Sequence, residues 1–163
     1  MKVLFVCTGN ICRSPLAEVL LRRVLERENL REVQVSSAGI HALAGEEVPP
    51  LLRKVAGEKG IDLGDHRGRQ LERSMVEEAD LVLAMDPFQV ALLESLVPES
   101  RGKVFLVRQF ASDGGAEAIA DPFGDDEERY LSCLESIEEC MTGLVEMIRA
   151  HLSSGPEQGR GSS

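Results

Sequence analysis

Val3-Leu4-Phe5-Val6-Cys7-Thr8-Gly9-Asn10-Ile11-Cys12-Arg13-Ser14-Pro15 is the stretch from which the rest of the chain is read. Four large apolar residues in a row suit a strand buried on both faces. The strand ends at Cys7, five residues separate that thiol from Arg13, and Ser14-Pro15 can open a helix. This order sets a sulfur at the base of a turn whose backbone N–H groups converge, with a guanidinium closing the ring. A tight loop at a helix N-terminus binds a tetrahedral dianion, and the planar fork of Arg13 can hold two of its oxygens at once. The same positive surroundings favour a thiolate, since cysteines beside arginine or at helix N-termini can have pKa values of roughly 3.5–7.5. Cys7 is therefore expected to be an anion at neutral pH, aimed at phosphorus. Thr8, Gly9, Asn10, Ile11, Cys12, Arg13 and Ser14 form the expected oxyanion socket, with the Ser14 hydroxyl donating to the sulfur. Gly9 permits a positive φ in the turn, and Asn10 tolerates the left-handed region better than most residues. An inert buried cysteine would explain Cys7 alone, but not the whole block. A Walker nucleotide loop is excluded because no Gly-Lys-Ser/Thr occurs.

A thiolate in an anion socket can accept a phosphoryl group, but the leaving oxygen or nitrogen then needs a proton from a positioned acid. Asp121 is the best candidate. It precedes Pro122 in a loop bounded by Gly114-Gly115 and Gly124, a setting suited to a hinged flap, although Asp-Pro by itself also starts turns. Asp86, at a strand end before Pro87, competes for the role.

A length of 163 residues favours one domain, and a net charge of −10 argues against nucleic acid as a partner. No apolar run reaches the ~20 residues of a membrane span, and residues 2–6 read as a core strand rather than a signal segment. These features predict a cytoplasmic protein with no membrane partner. Strands are expected near 2–6, 32–37, 80–84 and 103–107, and helices near 15–28, 49–59, 87–96 and 126–151. Alternation of this kind implies an α/β fold: one doubly wound sheet of four parallel strands, helices on both faces, and the phosphate loop after strand 1. Ligand would then sit beyond the carboxyl ends of the strands. Asp125-Asp126-Glu127-Glu128 reads as a solvated helix start. Cys133 and Cys140, seven apart on the expected last helix, read as small core residues on one face, and no cysteine pair has zinc-ligand spacing. A folded unit over 1–152 and a disordered tail over 153–163, which has almost no apolar content, complete the reading.

Cys7 to Ser14 with Pro15-Leu16-Ala17-Glu18 resembles the signature of low-molecular-weight protein tyrosine phosphatases. Ser37-Ala38-Gly39, the segment Ala79 to Asp86, and Asp121-Pro122-Phe123-Gly124 resemble three further blocks of that family, over about residues 1–150. The resemblance implies Cys7 as nucleophile, Arg13 as phosphate ligand and Asp121 as general acid, then base. It implies a supporting network of Asn10, Ser14, Ser37 and His66, with Asp86 structural beside His66. It also implies that Cys12 can form a reversible disulfide with Cys7 that protects the nucleophile from irreversible oxidation. The expected substrate is a phosphorylated protein, the expected state a monomer or weak dimer, and no metal or other cofactor is implied.

Two clues to the phosphoresidue conflict. Asp121-Pro122-Phe123-Gly124 resembles the bacterial branch that includes protein arginine phosphatases, whereas those carry threonine where this chain has Ile11, whose apolar side chain suits a phenol ring. Residue 11 lines the pocket directly, so phosphotyrosine is the favoured reading and phosphoarginine the alternative. Arsenate reductases share the architecture but need extra redox cysteines near the third strand, where Val82-Leu83-Ala84-Met85 has none. Phosphoryl-carrier domains have no need of Arg13 together with Asp121.

Overall fold

The computed structural model describes residues 1–115 and 117–155. Four strands, β1 (Lys2–Cys7), β2 (Gln34–Gly39), β3 (Leu81–Ala84) and β4 (Val104–Leu106), form one all-parallel sheet in the order β2-β1-β3-β4. Alternate residues of β1 serve opposite faces. Val3, Phe5 and Cys7, with Leu81 and Leu83, pack into a core shared with helices α1 (Arg13–Arg27), α2 (Pro50–Glu58), α5 (Glu127–Glu138) and α6 (Met141–Ser154). Leu4, Val6, Val82 and Ala84 face the smaller core of α3 (Arg73–Glu78) and α4 (Pro87–Leu96). Burial on both sides explains the unbroken apolar runs, and each such side chain contributes roughly 1.5–3 kcal/mol of transfer free energy. The chain leaves β1 toward β2 and later returns to the other side as β3. The carboxyl end of β1 therefore lies at the point where strand order reverses, the usual ligand crevice of such sheets.

Three expectations change. The single helix over 126–151 is two helices, because the Cys140 thiol bonds the Ser136 carbonyl at 3.3 Å, the acceptor its own N–H would otherwise use. That N–H turns instead to the Ile137 carbonyl at 3.1 Å. Cys133 and Cys140 thus belong to different elements, although both are buried. The expected tail begins too early, since α6 runs to Ser154; residues 156–163 lie outside the described residues. The short α3 was not expected. Only its Val76 is buried, so it shows no apolar period, and Arg73 holds it through the Glu77 and Glu99 carboxylates and the Leu96 carbonyl.

α6 approaches the turn over Val107–Phe110 so closely that a Cβ on Gly143 would lie 2.1 Å from the Phe110 carbonyl oxygen. Gly143→Ala is expected to destabilise the fold by about 1–3 kcal/mol through overpacking. Gly57→Ala on α2, where nothing lies within 4 Å of the new carbon, is expected to raise stability by about 0.5–1 kcal/mol. Denaturant melts of the two variants check the pair.

Candidate active site

The loop between β1 and α1 is shaped by one residue. Asn10 is fully buried and sits at φ 58°. The sequence allowed a positive φ at Gly9 and at Asn10, and only Asn10 takes one. Asparagine takes the left-handed position because its side chain can bond locally where most residues would only be strained. The Arg69 backbone N–H donates to Asn10 Oδ1 at 3.0 Å, which fixes the orientation of the amide. Asn10 Nδ2 then donates to Ser14 Oγ at 2.8 Å and to Ser37 Oγ at 3.0 Å. His66 Nε2 lies 2.7 Å from the Asn10 carbonyl, which only accepts, so Nε2 carries a proton there.

Cys7 Sγ sits inside this frame, 2.9 Å from Ser14 Oγ and 3.2 Å from the Asn10 N–H that donates to it. Because Ser14 Oγ already accepts from Asn10, its own proton is available to the sulfur. The loop is also sewn to the residues after β2. Ile40, His41 and Leu43 donate backbone N–H groups to the carbonyls of Cys7, Thr8 and Gly9, each at 3.0 Å. Such closeness requires glycine, since a Cβ on Gly39 would meet the Thr8 carbonyl oxygen at 2.6 Å. Across the cleft, a Cβ on Gly68 would meet the Leu43 carbonyl oxygen at 2.3 Å.

Arg13 is buried, and its guanidinium ties the two halves of the site together. It donates to the Ile119 carbonyl at 2.9 Å and lies 3.7 Å from Asp121 and 3.8 Å from Asp86. Ile119 in turn donates to the Met85 carbonyl at 2.9 Å, docking the Asp121 loop on the end of β3. Asp121 is half exposed and also accepts from the Phe123 N–H at 3.1 Å, so it is a turn former as well as a cleft residue. Gly114 and Gly124, on either side of it, both take positive φ.

Asp86 faces Arg13 and caps α4 through the Gln89 N–H at 2.8 Å, while His66 bonds the loop carbonyl. Among the described residues, no hydrogen bond or ion pair joins Asp86 to His66. Gln89, which the sequence reading missed, bridges the elements: its amide accepts from the Met85 N–H at 2.9 Å and donates to Thr8 Oγ1 at 3.2 Å. The Asp86-Pro87-x-Gln89 pattern marks a helix start, but its contact with Thr8 is long-range and carries no local signal. Arg69, which bonds both Asn10 and the Ser37 carbonyl, gives no sequence signal at all.

The resulting cleft, about 160 Å³, is lined by Cys7, Thr8, Gly9, Asn10, Ile11, Cys12 and Arg13, with His41, Leu43, Asp121 and Phe123 as walls. The sequence reading assigned no role to His41. Leu43 and Phe123 are 43% and 58% exposed, so apolar surface on the cleft walls is open to a ligand. All four cysteines are free thiols. Burial, with help from Asp121 and Cys7, pushes the Cys12 thiol up to about 12 against the pull of Arg13. Burial does the same to Cys133, also to about 12. Among the described residues, no group of three or more His, Cys, Asp or Glu is placed to hold a metal ion, and no helix is long and apolar enough to cross a membrane.

Comparison with known proteins agrees with this geometry. The family model for low molecular weight phosphotyrosine protein phosphatase matches residues 2–154. A protein-arginine-phosphatase of Geobacillus stearothermophilus is 38% identical over 148 residues, covering 91% of this chain and 96% of its own length. A probable low molecular weight protein-tyrosine-phosphatase, EpsP, of Ralstonia nicotianae is 39% identical over 148 residues, with the same coverage of both chains. The crystal structure of the tyrosine phosphatase Wzb from Escherichia coli K30, in complex with sulphate, superposes with a TM-score of 0.81 at 31% identity, covering 90% of this chain and 97% of that one.

Cys12 and Cys133 bind their protons more tightly in the fold than the ordinary thiol value of 9.0. Their contribution to stability is therefore whole below pH about 9 and drains as pH rises toward about 12. Denaturant midpoints are expected to fall across that window, and the fall is expected to be shallower in Cys133→Ala.

Proposed function

Because the chain belongs to the low molecular weight phosphotyrosine protein phosphatase family, we propose that it hydrolyses phosphotyrosine in proteins through a phosphocysteine intermediate. The observation that carries this reading is the placement of Cys7 Sγ at the base of the cleft, held by Ser14 Oγ and the Asn10 N–H, with Arg13 and Asp121 together at the side. The phosphoryl oxygens lie on the loop amides and the Arg13 fork, where their charge is stabilised by groups already oriented. The Cys7 thiolate attacks phosphorus in line, the P–S bond forms as the P–O bond to the phenol breaks, and Asp121 protonates the departing oxygen. In the second step the Asp121 carboxylate takes a proton from water, whose oxygen displaces the sulfur and releases inorganic phosphate. The Ser14 hydroxyl stabilises the leaving thiolate. Asn10, Ser37, His66, Arg69 and Gln89 act through the loop as positioning residues. Asp86 restrains Arg13.

Phosphotyrosine is favoured over phosphoarginine by the cleft walls. Ile11, Leu43 and Phe123 offer apolar surfaces that match the faces of a phenol ring and give a guanidinium nothing to bond. Phosphoarginine is kept as the second reading because of the Asp121-Pro122-Phe123-Gly124 loop and the arginine-phosphatase relative.

Cys7→Ser is expected to abolish turnover while still binding phosphopeptide, measured by kinetics and by calorimetry. Asp121→Asn is expected to lower kcat on phosphotyrosyl peptides by about 10²–10⁴-fold, and by less on p-nitrophenyl phosphate, whose leaving group needs little protonation. On matched peptides the native chain is expected to prefer phosphotyrosine to phosphoarginine, and Ile11→Thr is expected to shift that ratio toward phosphoarginine.

A further inference from the structure

A second cleft adjoins the catalytic one. This wider cleft, about 550 Å³, shares Ile11, Leu43 and Phe123 with the first as a common wall and reaches outward to Glu46, Glu47 and Arg67. Its floor is fixed in place by backbone bonds. Leu43 donates to the Gly9 carbonyl at 3.0 Å, Glu46 to the Leu43 carbonyl at 3.1 Å, and Gly68 to the Glu46 carbonyl at 2.9 Å. A groove tied this directly to the catalytic loop is already formed before anything enters it, so little ordering cost falls on binding.

Its charges are unevenly used. Arg67 is committed to Glu47 at 2.9 Å and to the Gly45 carbonyl at 3.4 Å. Among the described residues, Glu46 has no ion pair, although it lines the same groove. The far end of the cleft is therefore anionic and the shared wall is apolar. We propose that this cleft is a substrate subsite for a lysine or arginine side chain flanking the phosphorylated residue, its aliphatic stem lying on Leu43 and Phe123 and its cation meeting Glu46. Long basic side chains cover apolar surface with their stems while keeping the charge at a polar edge, which is the arrangement this cleft offers. An extended peptide advances ~3.3–3.6 Å per residue, so a side chain beyond a shared wall belongs to a near neighbour in sequence. An acidic neighbour would meet Glu46 and the net charge of −10 as like charge. The assignment rests on the phosphatase reading above and names the sequence context of its substrate.

The test is kcat/KM on phosphopeptides carrying Lys, Leu or Glu at each flanking position in turn, with p-nitrophenyl phosphate reporting on the catalytic centre alone. At one flanking position the Lys peptide is expected to exceed the Glu peptide by about 5- to 10-fold at low salt and by less at high salt. Glu46→Gln is expected to erase that ratio, and Glu46→Lys to reverse it. A native chain that hydrolyses p-nitrophenyl phosphate but shows no Lys-over-Glu preference, or one that Glu46→Lys leaves untouched, overturns the subsite. A preference for Leu over Lys overturns it in favour of an apolar occupant. A native chain inert on every substrate overturns the phosphatase reading itself.

Discussion

The buried side-chain amide of Asn10 is the constraint on which the site depends. A non-glycine residue in the left-handed region is disfavoured by its own Cβ, and here that cost is offset by bonds to Ser14, Ser37 and Arg69. One amide thereby sets the direction of three groups. It leaves the Ser14 proton free for the sulfur, holds the backbone N–H of Asn10 on Cys7, and ties β2 at Ser37 and the Arg69 backbone to the loop. If the carboxamide were lost, the buried Ser37 hydroxyl would lose its partner and Ser14 would keep only the sulfur. Buried polar groups left in that condition typically cost 1–3 kcal/mol each.

Around that frame, Arg13 joins elements far apart in sequence. Its guanidinium meets the end of β3 through Asp86 and the later loop through Ile119 and Asp121. A cation buried to this degree needs such partners, and the phosphate site is thereby coupled to the loop that carries the acid. Gln89 makes a second link, from α4 to Thr8. The loop is thus braced by Asn10 on one side and by Gln89 on another.

What was legible in the sequence was what local chemistry encodes. The apolar run into Cys7, the Ser14-Pro15 helix start and the strand–helix alternation each follow from neighbours within a few residues, and they suffice for the parallel sheet and its crevice. The sequence allowed a positive φ at both Gly9 and Asn10, and the partners that hold Asn10 there, Ser37 and Arg69, lie too far along the chain to decide between them locally. The break before α6 was invisible because Glu139 and Cys140 keep helical backbone angles, so the apolar period continues while one ladder bond is lost to a thiol.

Gly68 gives the cleft its width although it touches neither the sulfur nor the loop carboxylate. It allows the Leu43 carbonyl to close down where any larger residue would prop it open. The bore of the pocket is therefore governed by a spacer behind the wall rather than by its lining alone. A redesign seeking room for bulkier phosphoesters has its lever there, behind the wall, with the chemical machinery left as it stands.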